Sequence, residues 1–235
     1  MALTDNITAC WHFDESSGNA ADSVGSRTAT NQNTVTYSAG KFSNAATFAA
    51  ASSQYFTFTK FDPGSSAFSI AFWFKYTGTI PPSVYPCIIS QWDETGSDRE
   101  WAVAIVGSNM YFYVADSGGS YNYLASTTTL VQNTTYFCVC TKSGTTGKIY
   151  INASLEGTKT TFVSTVVSGS ASPRIGHSYR FGNKSDNYWN GQIDELTIWS
   201  RELSSTEVTT LYNGGTGLAY PYTATNNGAG FFALM

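Results

Sequence analysis

Apolar and polar residues alternate with a period of two in several separate stretches of this chain. Gln54-Tyr55-Phe56-Thr57-Phe58-Thr59 and Lys148-Ile149-Tyr150-Ile151-Asn152 are the clearest. Successive strand side chains point to opposite faces, so such runs predict strands with one buried face. Phe68-Ser69-Ile70-Ala71-Phe72-Trp73-Phe74-Lys75 is more continuously apolar and predicts a core strand. Ser117-Gly118-Gly119 and Ser143-Gly144-Thr145-Thr146-Gly147 carry the small, turn-forming residues that separate strands. Near the C-terminus, Gly191-Gln192-Ile193-Asp194-Glu195-Leu196-Thr197-Ile198-Trp199 predicts another strand, interrupted by two carboxylates. There the period changes. Ser204-x-x-Glu207 has capping-box spacing, Val208, Leu211 and Tyr212 follow at helical spacing, and Asn213-Gly214-Gly215 supplies the stop.

Composition leads to the same class. Aromatic residues make up 15% of the 235 residues and charged residues only 12%, against about a quarter charged in an average globular protein. A single two-sheet sandwich of about a dozen strands accounts for the length and the spacing of turns. The net charge is -4 and lysine and arginine do not cluster, which excludes the basic face that binds nucleic acid through its phosphates. No apolar run approaches the roughly 20 residues that span a membrane. Met1-Ala2-Leu3-Thr4-Asp5 lacks the basic and apolar regions of a secretory signal, so the chain is expected either not to be exported by that route or to be a mature fragment restarted at a Met. Cys10, Cys87, Cys138 and Cys140 include no Cys-x-x-Cys pair, which argues against a structural zinc site and reads as buried free thiols.

Five landmarks, taken together, resemble a known family. They are Ala9-Cys10-Trp11-His12-Phe13-Asp14-Glu15 with the loop to Gly25, Gly40-Lys41-Phe42-Ser43-Asn44-Ala45-Ala46-Thr47-Phe48, the Phe68–Lys75 strand, the Lys148–Asn152 strand, and the Gly191–Glu207 segment. Their order and character are similar to those of laminin-G-like (concanavalin A-like) jelly-roll domains over about residues 5–215. The resemblance implies an all-β, two-sheet antiparallel jelly-roll sandwich with one short C-terminal helical turn. We take residues 1–217 as that domain and 218–235 as a C-terminal tail.

The resemblance also implies a calcium ion tying the first loop to the Ile-Asp-Glu strand. Carried over residue by residue, its ligands would be Asp22 and Asp194, with Ser23, Gly25 and Arg27 contributing backbone oxygens. Calcium takes six to eight oxygen ligands from flexible loops, which suits this set. Asp22 capping a turn and Asp194 accepting backbone hydrogen bonds is the alternative. Ser26-Arg27 also departs from the Asn-Gly-rich run frequent in the family.

Enzymes share this jelly roll, but the Glu-x-Asp-x-x-Glu strand of the jelly-roll glucanases is absent; Asp93-Glu94 and Asp98-x-Glu100 come closest and read as loop charges. The two histidines, His12 and His177, accompany no nucleophile motif. A non-enzymatic binding module is expected. The chain has 6 Trp, 15 Tyr and 15 Phe. Trp11, Trp73 and Trp199 lie in apolar strands and are assigned to packing, whereas Trp92, Tyr121, Tyr123, Tyr179, Arg180 and Tyr188 sit beside small polar residues. Such a patch suits a glycan or surface polysaccharide, because rings stack on apolar sugar faces while polar neighbours bond hydroxyls. It suits a protein partner equally. The tail ends in Phe231-Phe232-Ala233-Leu234-Met235, an apolar anchor expected to dock on a neighbouring subunit of a larger, oligomeric assembly. By analogy of fold alone, the setting expected is a virion surface or the extracellular space.

Overall fold

The computed structural model describes residues 1–79, 84–94, 98–116, 120–179 and 187–223. Fifteen strands occur among them: β1 Ile7–Trp11, β2 Thr30–Gln32, β3 Thr36–Ala39, β4 Asn44–Phe48, β5 Tyr55–Thr57, β6 Phe68–Tyr76, β7 Cys87–Asp93, β8 Asp98–Val106, β9 Asn109–Ala115, β10 Tyr121–Ala125, β11 Thr135–Ser143, β12 Thr146–Ile151, β13 Ser154–Lys159, β14 Arg174–Ile175 and β15 Gly191–Trp199. One helix, α1 Ser205–Tyr212, follows. The strands form an eight-stranded sheet in the order β13-β12-β11-β6-β15-β4-β3, with β1 beside β15, and a seven-stranded sheet in the order β10-β9-β8-β7-β14-β5-β2. The antiparallel sandwich expected from the alternating runs is therefore present.

The two sheets enclose one main core. Phe56, Phe68, Ile70, Phe72, Trp101, Phe112, Trp189 and Ile198 all belong to it. β6 is continuously apolar because both of its faces are covered: Ile70, Phe72 and Phe74 face the other sheet, while Ala71 and Trp73 lie under α1. Val208 and Leu211 of α1 are buried against them. Burying each such side chain contributes roughly 1.5–3 kcal/mol. The capping box is formed as its spacing predicts: Glu207 N–H donates to Ser204 Oγ, and Ser204 N–H donates to Glu207 Oε2 at 2.8 Å. Arg201 lies 2.8 Å from Glu207 Oε1 and donates to the Ala2 and Asp5 carbonyls, tying the N-terminus to the helix entry.

β15 changes partner halfway along. Gly191–Ile193 pair with β4, whereas Leu196–Trp199 pair with β1. The register with β6 shifts between Asp194 and Thr197, and Glu195 has a φ of 50°. The two carboxylates that interrupt the strand pattern thus occupy a β-bulge, where the ladder is disrupted and a side chain can be re-aimed. Gly191, which opens the strand, has a φ of 142°, and a Cβ there would lie 2.0 Å from the Lys75 carbonyl oxygen.

The segment after residue 217 does not leave the domain at once. Tyr222 stacks on Trp199 with centroids 5.9 Å apart, and its hydroxyl donates to Thr197 Oγ1 at 2.9 Å. Residues 218–223 therefore pack on their own sheet, while the apolar end expected to act as an anchor lies outside the described residues. No helix among the described residues is long and apolar enough to cross a membrane.

Candidate functional site

The outer face of the seven-stranded sheet concentrates the exposed aromatic residues. On β9, Met110, Phe112 and Val114 enter the core, so Tyr111, Tyr113 and Ala115 point outward. β10 pairs in register with Tyr123 opposite Tyr113 and Tyr121 opposite Ala115. One row of opposed residues then crosses the sheet as Tyr123, Tyr113, Ala102, Ser90, Arg174 and Thr57. The row places the tyrosines at one side and Arg174 at the other.

Four tyrosines form a ladder. The centroids of Tyr111 and Tyr113 are 5.8 Å apart, and Tyr123 lies 5.6 Å from each. Tyr121 and Tyr123 are 44% and 49% exposed. Arg99 approaches the Tyr121 ring at 5.5 Å and Lys159 approaches the Tyr123 ring at the same distance. Cations over ring faces hold such rings in one orientation. Across the sheet, Arg174 stands 5.1 Å from the Tyr55 ring and 5.2 Å from Tyr179.

The residues expected at the site are distributed over this face in different roles. Tyr121 and Tyr123 are exposed rungs of the ladder, and Tyr179 is 38% exposed beside Arg174. Tyr188 is half-buried and stacks on the buried His177 ring at 3.9 Å. Trp92, expected at the surface, is only 2% exposed. It belongs to an outer-face cluster with the small Ala102, Ala104 and Ala115, and Tyr121 and Tyr113 close over it edge-to-face at 5.6 and 5.9 Å. Trp92 is therefore the support beneath the exposed tyrosines, because a large ring on a floor of alanines is covered by its neighbours. Arg180 lies outside the described residues. Tyr111, Tyr113, Tyr55 and Arg174 were not anticipated, although the Tyr-x-Tyr spacing within Met110–Val114 carries the signal for the first two.

A second feature is an open hollow of about 630 Å³ lined by the Ser16–Asn19 loop and by Asn31, Asn33 and Tyr37. Its polar groups are largely spent on one another. Asn31 donates to the Gly18 and Val35 carbonyls and accepts from Val35 N–H, Asn33 donates to the Ser53 carbonyl, and the Tyr37 hydroxyl donates to the Gly18 carbonyl. It offers space with few uncommitted polar groups.

Asp22 and Asp194 each hold backbone. The Asp22 carboxylate accepts from the amides of Cys10, Val24 and Arg27 at 3.0–3.1 Å, and a Cβ at Gly25 would touch it at 2.8 Å. Ser23 N–H donates to the Cys10 carbonyl. The Arg27 carbonyl accepts from the Trp11 indole at 2.7 Å, and its guanidinium donates to the Thr8 carbonyl at 3.0 Å. Asp194 Oδ2 accepts from Lys41 and Phe42 N–H at 2.7 and 3.0 Å. Burial pushes the Asp194 carboxyl up to about 8 against the pull of those two amides. Among the described residues no hydrogen bond joins the Asp22 loop to Asp194. Both Asp22 oxygens, Asp194 Oδ2 and the Arg27 carbonyl already have partners, whereas Asp194 Oδ1 is buried without one; a guanidinium supplies positive charge at the first loop. The residues present do not fit the six to eight oxygens of a shared calcium cage.

Among the described residues, Glu100 is the one fully buried carboxylate near the aromatic face. It accepts from Gln91 and from Gly169 N–H, with Lys60 Nζ at 3.1 Å. Burial raises its carboxyl to about 7, against the opposing pull of Gln91 and Lys60. Asp98, expected with it as a loop charge, instead accepts from Ser170 N–H and hydroxyl. These bonds tie the two carboxylates to the 168–170 segment.

Two antiparallel sheets packed face to face with one short C-terminal helix make this a jelly-roll sandwich. The family model described as the concanavalin A-like lectin/glucanases superfamily matches residues 50–209, more than half of the chain, and the chain belongs to that family. No curated protein sequence matches it. Among solved structures, the chain resembles the binding domain of Paraclostridial Mosquitocidal Protein 1, with a TM-score of 0.74 and 16% identity over 91% of this chain and 53% of that one. It is similar to a structure of botulinum neurotoxin type C, a toxin whose cell entry depends on interaction with two ganglioside molecules, with a TM-score of 0.69 and 16% identity over 90% of this chain and 52% of that one. The chain thus spans about half the length of these toxin structures. It also resembles domain 4 of AbnA, a GH43 extracellular arabinanase from Geobacillus stearothermophilus, solved in complex with arabinotriose. There the TM-score is 0.66 and the identity 17%, over 87% of this chain and 97% of that one.

Proposed function

We propose that this protein is a non-catalytic carbohydrate-binding module that receives a glycan on the outer face of its seven-stranded sheet. The observation that carries this reading is the exposed Tyr121–Tyr123 pair, backed by buried Trp92 and Tyr113 and flanked by the Arg99 and Lys159 cations. Rigid rings supply stacking area at little entropic cost, and the tyrosine hydroxyls and adjacent cations supply hydrogen bonds to sugar hydroxyls. The glycan ligands of the toxin and arabinanase domains support the same class of ligand. The polar hollow at Asn31 is the weaker site, since its donors are already engaged.

The module's setting on this reading is extracellular or on a virion surface, where glycans are accessible; the extracellular arabinanase supports the former. A glycan array probed with the folded protein, with and without chelator, tests the proposal. Saturable binding that is lost in Tyr121→Ala/Tyr123→Ala and unaffected by chelator is the expected result. A blank array from folded protein overturns it and makes this face a protein contact in an assembly.

A further inference from the structure

On the opposite sheet a different chemistry is assembled. Cys10 on β1 and His12 just beyond it point the same way, on either side of the buried Trp11. The bulge in β15, with Glu195 at a φ of 50°, aims the Glu195 carboxylate at them. His12 Nδ1 lies 2.7 Å from Glu195 Oε1 across 183 residues of sequence. Ligand atoms of Cys10, His12 and Glu195 all lie within 4.8 Å of one another. Cys10 is fully buried and Glu195 is 6% exposed; besides His12, the only donor among the described residues to approach the Glu195 carboxylate is the Tyr220 N–H, too loosely to satisfy Oε2. The imidazole is the accessible edge, with its side chain 24% exposed.

We propose that Cys10 Sγ, His12 Nδ1 and Glu195 bind a zinc(II) ion, independently of the glycan-binding face. A thiol, an imidazole and a carboxylate form a mixed S/N/O set that suits zinc and is too soft for calcium or magnesium. Tetrahedral zinc with bonds of about 2.0–2.3 Å needs ligand atoms roughly 3.2–3.7 Å apart. The cluster therefore has to contract around sulfur by about 1 Å and open the His12–Glu195 contact slightly. Both are within reach of side-chain rotation. A carboxylate buried in protein is costly to keep as an anion, and a bound cation offsets that cost. The Tyr222 hydroxyl and Thr197 Oγ1 enclose the sulfur, with Thr197 donating to Cys10 Sγ at 3.3 Å. Water completes the fourth position from the His12 side. On binding, the Cys10 S–H proton and the Nδ1 proton that His12 shares with Glu195 both pass to solvent, so that the sulfur binds as thiolate and the neutral imidazole through its Nδ1 lone pair. Burial otherwise holds that thiol up at about 12.

Zinc alone, added to chelator-treated full-length protein, is read by thermal melting, by calorimetry in buffers of different ionisation enthalpy, and by the spectrum of the cobalt(II) form. One ion per chain, proton release, a thiolate-to-cobalt charge-transfer band and a Tm rise on the order of 5–10 °C at a hundredfold excess over Kd are expected. Calcium at the same concentration produces no shift. The band and the shift are lost in His12→Gln, whose side chain is partly exposed and whose fold circular dichroism can verify, and in Cys10→Ser. They persist in Cys87→Ala. Absence of the band and the shift in the parent overturns the proposal and leaves a buried His12–Glu195 ion pair beside an inert thiol. Zinc binding that survives both His12→Gln and Cys10→Ser overturns it equally, by placing the ion elsewhere.

Discussion

Replacing Tyr123 by alanine removes the most exposed ring of the ladder, and the structure sets the size of the effect. A tyrosine contributes roughly 200 Å² of surface, and 49% of Tyr123 is open, so about 100 Å² awaits a ligand. At ~25 cal/mol per Å², full coverage is worth about 2.5 kcal/mol. A sugar ring stacks on one face only, which halves that to about 1.2 kcal/mol, or close to tenfold in Kd. Isothermal titration with a glycan found positive on the array measures it. Tyr123→Phe keeps the stacking surface and loses only a hydroxyl, so its affinity falls about threefold or less. Stability is little changed in either variant, because the ring is at the surface and its Lys159 contact is exposed. A Kd for Tyr123→Ala within twofold of the parent, from a variant with an unchanged melting temperature, refutes the reasoning.

Three further predictions concern the scaffold. Glu100 is fully buried with its carboxyl raised from 4.5 to about 7, so between those values the folded state binds more protons than the unfolded state and stability falls as pH rises. Against Glu100→Gln the parent should lose up to about 3 kcal/mol between pH 4.5 and 8; denaturation curves that stay parallel across that range contradict it. Gly191→Ala drives a Cβ to 2.0 Å from the Lys75 carbonyl oxygen at a φ that disfavours side chains. A cost of at least about 3 kcal/mol is expected from urea melts, with little or no folded protein recovered. Chelation of calcium should move the melting temperature by less than about 1 °C, because Asp22 and Asp194 are held by amides; a large drop restored by calcium alone would reinstate the ion.

Much of this molecule is legible residue by residue. The alternation at Gln54–Thr59 and Lys148–Asn152, the unbroken apolar run of β6 and the Ser204–Glu207 box are local patterns. Each one formed the element it predicts, because hydrophobic period and capping chemistry act over a few residues. The Asp194-Glu195 interruption was visible too, as two carboxylates in an otherwise apolar strand. That it marks a bulge where β15 exchanges β4 for β1 was not visible, since the exchange depends on strands about 150 and 190 residues away.

The candidate sites divide in the same way. Composition and small polar neighbours pointed to Tyr121 and Tyr123, which are exposed as expected but stand on strand β10 and not in a loop. Those signals could not sort Trp92 from its neighbours, because its burial depends on which rings the registers of β7, β8, β9 and β10 bring over it. The meeting of Cys10, His12 and Glu195 has the same origin. The sequence by itself determined which stretches become strands, where the helix starts, and which side chains alternate. Only the tertiary structure decided which alternate face is covered and which distant residues become neighbours, because pairing register is a property of two segments together and a shift of one residue turns every side chain to the other face.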